Sequence, residues 1–279
     1  MEDTQRDEPV EVGRYVLGHT AHELERLQAQ ARLIDPHTRQ FFVDAGIEPG
    51  MRVLDVGTGA GDVALLLASM VGPSGEVVGV DRSATAIAVA GERARLDSIA
   101  NVSFRVVDPF AASFEQPFDA VAGRYVLQFQ PEPVAALRAV AAHARPGGLV
   151  AFHEIDWGGV DSFPPVAAYN RACGWIRDAV AASRTETRMG IKLYSTFVEA
   201  GFAEPSLARR SVVGAGDEAA VVAKLILDLA GTLRSEIIGH GIASVEDFEA
   251  TMLALPTEAR DRHTVLVAHG QYCVWGRVD

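Results

Sequence analysis

Residues 53–68 read "VLDVGTGAGDVALLLA": a short apolar strand, three glycines at alternate positions, then an apolar run of helical length. A strand that breaks into glycines and resumes as a helix is how an open α/β sheet builds a ligand loop beyond the carboxyl end of a strand. The dinucleotide fingerprint asks for Gly-x-Gly-x-x-Gly. Here Gly57, Gly59 and Gly61 are spaced by two and Asp62 holds the sixth place. A carboxylate at that place repels a pyrophosphate approaching the helix N-terminus. The Gly-Lys-Ser ending of a phosphate loop is also absent. The turn suits a nucleoside that carries no phosphate and a positive charge, for which Asp55 and Asp62 are assets.

Outward from this turn, strand and helix alternate. Strands are expected at Arg52–Val56, 75–81, 102–108, 118–126 and 149–156, with helices at 61–71, 83–97 and across "PEPVAALRAVAAHARPGG", where Pro131 and Pro133 mark the start and Pro146-Gly147-Gly148 the stop. Regular alternation predicts a parallel sheet with helices on both faces. Upstream, residues 21–45 have helical spacing that breaks at Asp35-Pro36, which predicts two helices. Downstream, "RMGIKLYSTFVEAGF" is an amphipathic helix, "PSLARRSVV" a strand, 217–258 helical, and "HTVLVAHGQYCVWGRV" a strand again. The 217–258 insertion, with residues 157–183, is placed to roof the carboxyl ends of the strands. Three parts result: a tail and helices over 1–45, a binding core over 46–156, and a cap that also completes the sheet over 157–279.

The chain has 279 residues, 48% of them apolar, and a formal charge of −12. That is enough apolar material for a real core. The acidic balance disfavours a nucleic-acid backbone or an anionic membrane as partner, since both need clustered Lys and Arg. Cys173 and Cys273 stand a hundred residues apart, so neither a disulfide framework nor a zinc cluster is suggested, and no metal site is expected. No signal-like start and no stretch approaching the ~18 apolar residues of a membrane helix is read. A cytoplasmic protein is the expectation.

The motifs, taken in order, resemble those of class I S-adenosylmethionine-dependent methyltransferases over roughly residues 50–155. "VLDVGTGAG" is similar to the family's first motif. The resemblance implies that the backbone of Gly57, Thr58, Gly59 and Gly61 lies against the methionine part of S-adenosylmethionine and that Asp55 orients its amino group. Asp81, ending the second strand, corresponds to the acid that accepts both ribose hydroxyls, and Arg82 can pack along the adenosine. "VVDPF" supplies Asp108 for the adenine amino group, with Pro109 and Phe110 against the ring. "FDAVAGRYVLQF" resembles the fourth motif, with Arg124 near the methionine end. Tyr15, in "GRYVLGHTAHEL", belongs to a helix that closes over the cofactor in many relatives. The implied fold is a three-layer, Rossmann-like α/β methyltransferase fold: a mostly parallel seven-stranded sheet with a C-terminal antiparallel strand and a helical cap.

Methyl transfer is an in-line displacement, so alignment and exclusion of water come first and a base is optional. His153, at the ligand end of the fifth strand, is the first candidate base for a hydroxyl acceptor, and His19 the rival. Strand alternation sets His153 on one face and Glu154 and Asp156 on the other. Trp157, Phe163, Tyr169 and Met189 are candidates to line an apolar acceptor site. The Asn/Asp-Pro-Pro-aromatic motif of methyltransferases acting on nucleic-acid or glutamine amino groups is replaced by "GRYV". The expected reaction is O-methylation of a small molecule, releasing S-adenosylhomocysteine. C- or N-methylation is the alternative, as is a non-methylating S-adenosylmethionine-binding protein or one that uses the sulfonium for a pericyclic rearrangement. Oligomeric state is left open, a homodimer being compatible with the sequence.

Overall fold

A computed structural model describes the backbone of residues 21–279 and the side chains of residues 33–279. Five strands run parallel: β1 (Arg52–Val56), β2 (Glu76–Asp81), β3 (Val102–Val106), β4 (Phe118–Arg124) and β5 (Ala144–Asp156), side by side in the order β3-β2-β1-β4-β5. β8 (Val265–Arg277) joins β5 antiparallel, and β7 (Ser206–Ala215) lies antiparallel on the far side of β8. A three-residue strand, β6 (Asp161–Phe163), pairs with the first residues of β8 and prolongs the β5 edge past a turn. The mostly parallel sheet with a C-terminal antiparallel strand agrees with the fold implied by the motifs, but it has eight strands rather than seven, the short β6 being the additional one.

The strands are apolar on both sides because both sides are covered. One face carries Val53, Val77, Ala122 and Ala151 against Phe42 of α1 (Ala21–Ala45) and Leu67 of α2 (Asp62–Val71). The other carries Leu54, Val78, Val121 and Phe152 against Leu137 of α4 (Pro133–Ala141) and Phe197 of α6 (Met189–Ala200). α3 (Ala84–Leu96) covers β2 and β3 with the alanines Ala86, Ala90 and Ala94, and its Ser83 side chain caps the Ala86 N–H. These are the three layers.

Besides β6, two elements depart from the sequence expectation. α1 is one helix rather than two, with Pro36 inside it. Proline removes one helical hydrogen bond, but Ile34 on one side and Thr38, Phe41 and Phe42 on the other are buried against the sheet and hold both halves in line. β5 begins at Ala144 rather than Leu149: Ala144 pairs with Phe118, and a register irregularity then absorbs the Pro-Gly-Gly segment before Leu149 meets Ala120.

The remaining helices, α5 (Ala167–Ala182), α7 (Asp217–Thr232), α8 (Arg234–Gly239) and α9 (Val245–Glu258), form a core of their own, with Tyr169, Ile176, Ile226 and Leu255 buried at its centre. Topology fixes where this cap sits. β7 is antiparallel to β8, which is antiparallel to β5, so β5 and β7 point the same way. Both hand the chain to cap helices at their carboxyl ends, and β8 starts from there. The cap therefore stands at the end of the sheet where the glycine turn lies. Among the described residues no helix is long and apolar enough to cross a membrane, and no three His, Cys, Asp or Glu side chains are grouped to hold a metal ion.

Candidate functional site

The three glycines of the β1–α2 turn all have positive φ: 66° at Gly57, 54° at Gly59 and 88° at Gly61. They serve different ends. A Cβ on Gly57 would lie 2.9 Å from Val126 Cγ2, and one on Gly61 3.0 Å from Ala90 Cβ, so these two admit close packing. A Cβ on Gly59 would meet no atom within 4 Å. At Gly59 the chain presents bare backbone outward, which is what close approach of a ligand requires.

Asp81, at the end of β2, ties this turn down. Its Oδ2 accepts from Gly59 N at 3.0 Å and its Oδ1 from Ser83 N at 2.8 Å. Each carboxylate oxygen keeps a further lone pair for a ligand. Asp55, one residue before the end of β1, is buried, and among the described residues the Thr58 hydroxyl is the one side-chain donor turned toward it, short of full hydrogen-bond geometry at Asp55 Oδ2. Burial raises the Asp55 pKa to about 7, the Thr58 hydroxyl and the Arg124 charge pulling the other way. Asp62 is a correction to the sequence reading: Arg93 pairs with it at 2.8 Å, so its charge is offset within the protein rather than offered to a ligand. Arg82 and Asp108 also pair, at 2.8 Å and half exposed, with Asp108 Oδ1 accepting from Phe110 N at 3.0 Å. Pro109 is buried and Phe110 partly so, beneath Arg82.

Beside the turn, the ends of β4, β5 and β8 carry a buried polar line that sequence reasoning touched at only two residues. Arg124 donates to Asp35 at 2.7 Å and to Thr38 at 2.9 Å, both on α1. The Thr38 hydroxyl lies 3.2 Å from His153 Nδ1, and His153 Nε2 lies 2.6 Å from Gln271 Oε1. Tyr125 donates its hydroxyl to the same Gln271 oxygen, and the Gln271 amide lies 2.6 Å from His269 Nδ1. Burial, and then the Arg124 charge, hold the His153 pKa well below the ordinary histidine value. His153 is a second correction. With Phe41 against its ring, Thr38 and Gln271 at its two nitrogens, and no exposed surface, it is closed off from an acceptor's proton. Asp35, Thr38, Tyr125, His269 and Gln271 were missed. A signal existed for two of them: "VAHGQYCV" puts His269 and Gln271 two apart in an otherwise apolar strand.

Glu154, on the opposite face of β5, accepts from the backbone N–H of Val126 at 2.8 Å and of Leu127 at 2.7 Å. It thereby holds the turn after β4, in which Tyr125 has a φ of 59°. Burial raises its pKa from 4.5 to about 7, against the pull of those N–H groups. The folded value lies above the unfolded one, so this contribution to stability is full below about pH 4.5 and is lost as pH rises through about 7. Between pH 5 and 8 the wild type should lose about 2–3 kcal/mol more stability than Glu154→Gln, at 1.36 kcal/mol per unit. Denaturant titration of both proteins at the two pH values checks this; parallel pH dependence would show that Glu154 is ionised throughout.

The expected acceptor-lining residues scatter. Trp157 is buried with its ring edge-on to His269, centroids 4.9 Å apart. Tyr169 is enclosed in the cap core and donates to Val267 O at 3.1 Å. Met189, the first residue of α6, is enclosed in the core that holds Phe152 and Leu193. Phe163 is 74% exposed. Only Trp157 reaches the polar line, because helical and strand spacing place Tyr169 and Met189 inside packed cores. Tyr15 and His19 lie outside the described residues.

Residues 47–195 match the family described as a methyltransferase domain. The chain is 40% identical over 106 residues to a 2-phytyl-1,4-naphtoquinone methyltransferase of Synechococcus elongatus, covering 37% of this chain and 46% of that protein. It is 39% identical over 113 residues to a ubiquinone biosynthesis O-methyltransferase of Alkalilimnicola ehrlichii, covering 40% of this chain and 44% of the relative. The chain thus spans about half the length of the curated relatives it matches. Among solved structures, the [4+2]-cyclase SpnF superposes with a TM-score of 0.55 at 21% identity, over 90% of this chain and 82% of that one, a likeness of fold.

Proposed function

The chain belongs to the class I S-adenosylmethionine-dependent methyltransferase family, and from that we propose that it methylates an oxygen of a small, largely apolar acceptor. The observation that carries the reading is the conjunction at the β1 and β2 ends: outward bare backbone at Gly59, a buried Asp55 with no cation or full-geometry donor on its Oδ2 among the described residues, and Asp81 braced beside the turn. These residues fit a cationic nucleoside and fit poorly with a pyrophosphate, since Arg82, Arg93 and Arg124 are each already paired with an acid of the protein. Bound S-adenosylmethionine supplies a methyl group on a positively charged sulfur.

The rest falls to the chain. The Gly57–Gly61 turn and Asp55 receive the methionine end, an ionised Asp55 facing its ammonium group; Asp81 accepts the ribose hydroxyls. Asp108, Pro109 and Phe110 border the adenine, with Arg82 held over them by its ion pair. Arg124, locked to Asp35 and Thr38, fixes α1 against the end of β4. The cap core excludes water from the carboxyl end of the sheet, which strengthens every polar interaction there. His153 acts as a positioning residue through Gln271. Since its nitrogens are engaged, alignment rather than a histidine base accounts for the transfer, which suits a phenolate or another readily ionised hydroxyl.

Two of the relatives carry a quinone in their names, a naphtoquinone and ubiquinone, and this directs the test. The protein is incubated with S-adenosylmethionine and anaerobically reduced 1,4-naphthoquinone, with the products separated by mass spectrometry. The expected result is S-adenosylhomocysteine with a methyl ether. Methyl on ring carbon would replace O- by C-methylation, and tight S-adenosylmethionine binding without S-adenosylhomocysteine from a panel of phenols, carboxylates and amines would overturn methyl transfer.

A further inference from the structure

His269 and Gln271 are fully buried polar residues in a strand that is otherwise apolar. Burial of such groups is costly unless each donor and acceptor is met. Following the protons along the line shows where one is not. Gln271 Oε1 is a carbonyl oxygen and can only accept, so the Tyr125 hydroxyl and His153 Nε2 both donate to it. The Gln271 amide nitrogen is then turned to His269 and donates to Nδ1. A neutral imidazole that accepts at Nδ1 carries its proton on Nε2. That Nε2–H is buried and has no partner among the described residues.

The placement of His269 is specific. β7 and β8 pair Ser211 with Gly270 and Val213 with Val267, so Ala268 and His269 together face the single residue Val212. This bulge lies where His269 stays on the same face as Gln271, two residues on, while the pairing with β7 loses its regular register. It lies near the start of β8, at the carboxyl end of the parallel strands, next to the Trp157 ring. The line also reaches the glycine turn: Tyr125 precedes Val126, the residue a Cβ on Gly57 would strike. A neutral donor against an aromatic wall, joined to the cofactor turn through Gln271, Tyr125 and Val126, is the chemistry that recognises an oxygen on an apolar ring.

We propose that His269 Nε2–H is the hydrogen-bond donor that receives an oxygen of the methyl acceptor, a carbonyl, phenol or phenolate oxygen on an apolar ring, and that Gln271, Tyr125 and His153 hold it as that donor. This rests on the reading of the chain as a methyltransferase for a small acceptor. Phenylalanine or leucine at 269 would fill the strand without an imidazole N–H to satisfy, at the cost of the acceptor that the Gln271 amide now has.

The test compares 1-naphthol with naphthalene, which differ by one oxygen, on protein saturated with S-adenosylhomocysteine. Calorimetry should show the wild type preferring 1-naphthol by roughly tenfold, the worth of one hydrogen bond in a dry site. His269→Phe should lose that preference while binding S-adenosylhomocysteine as the wild type does, and His269→Gln, which restores an N–H near the same place, should regain part of it. In the wild type labelled with 15N-histidine, the His269 Nε2 resonance should move with 1-naphthol and stay with naphthalene. This measurement needs no variant to fold. A wild type without the preference, an unmoved resonance, or His269→Phe retaining the preference would each overturn the proposal and leave a water as the partner of Nε2. Failure of the wild type to bind S-adenosylhomocysteine would instead sink the methyltransferase reading, while the resonance with 1-naphthol would still decide the subsite.

Discussion

Asp81→Ala should weaken S-adenosylmethionine binding by about 2–4 kcal/mol, roughly 30- to 700-fold, the worth of two charge-assisted hydrogen bonds. The effect has two sources, which a second variant separates. The carboxylate is placed to accept the ribose hydroxyls, and it also braces Gly59 N and Ser83 N, so alanine removes both a ligand contact and the support of the turn. Asp81→Asn keeps one carbonyl oxygen for a backbone N–H but loses the charge and one acceptor. If the bracing dominates, thermal stability should fall with alanine and recover in part with asparagine. If the ligand contact dominates, both variants should bind weakly at nearly wild-type stability. Calorimetry with S-adenosylhomocysteine and a melting curve on each protein decide it. Unchanged affinity in a folded Asp81→Ala would remove this residue from the site.

What the sequence disclosed follows from how local each signal is. The glycine turn, the acids at the ends of β1, β2 and β3, and the alternation of strands and helices are written within a few residues of one another, so pattern alone finds them. The chain break expected at Pro36 was misjudged because what keeps α1 continuous is burial of Ile34, Thr38, Phe41 and Phe42 against the sheet, a tertiary effect that overrides a local breaker. The same holds for charge. Asp62 reads as an available carboxylate until Arg93, 31 positions away, comes to 2.8 Å of it. His153 reads as an available base until Thr38 and Gln271, 115 and 118 positions away, take up its nitrogens. Tyr169 and Met189 lie at spacings that core residues and pocket residues share, and only packing tells the two apart. The His269 bulge depends on the register between β7 and β8, which a single sequence does not reveal.

Gly59→Val should abolish cofactor binding, by at least about 100-fold or 2.7 kcal/mol, while the protein still folds. The two halves of that statement rest on different observations. Folding survives because a Cβ at this position meets no atom within 4 Å, so no packing is disturbed. The φ of 54° is left-handed, which costs a non-glycine residue about 1–2 kcal/mol, more for a β-branched one, and should lower the melting temperature by only a few degrees. Binding is lost because the branched side chain fills the space through which the ligand must reach the backbone. Gly61→Ala is the contrasting variant: its Cβ would stand 3.0 Å from Ala90 Cβ and 3.4 Å from the Ala90 backbone, so its cost should appear in stability. Melting curves and S-adenosylhomocysteine titrations on the pair should therefore show opposite patterns. A Gly59→Val protein that binds as the wild type does would make the loop a structural turn and dissolve the cofactor site built around it.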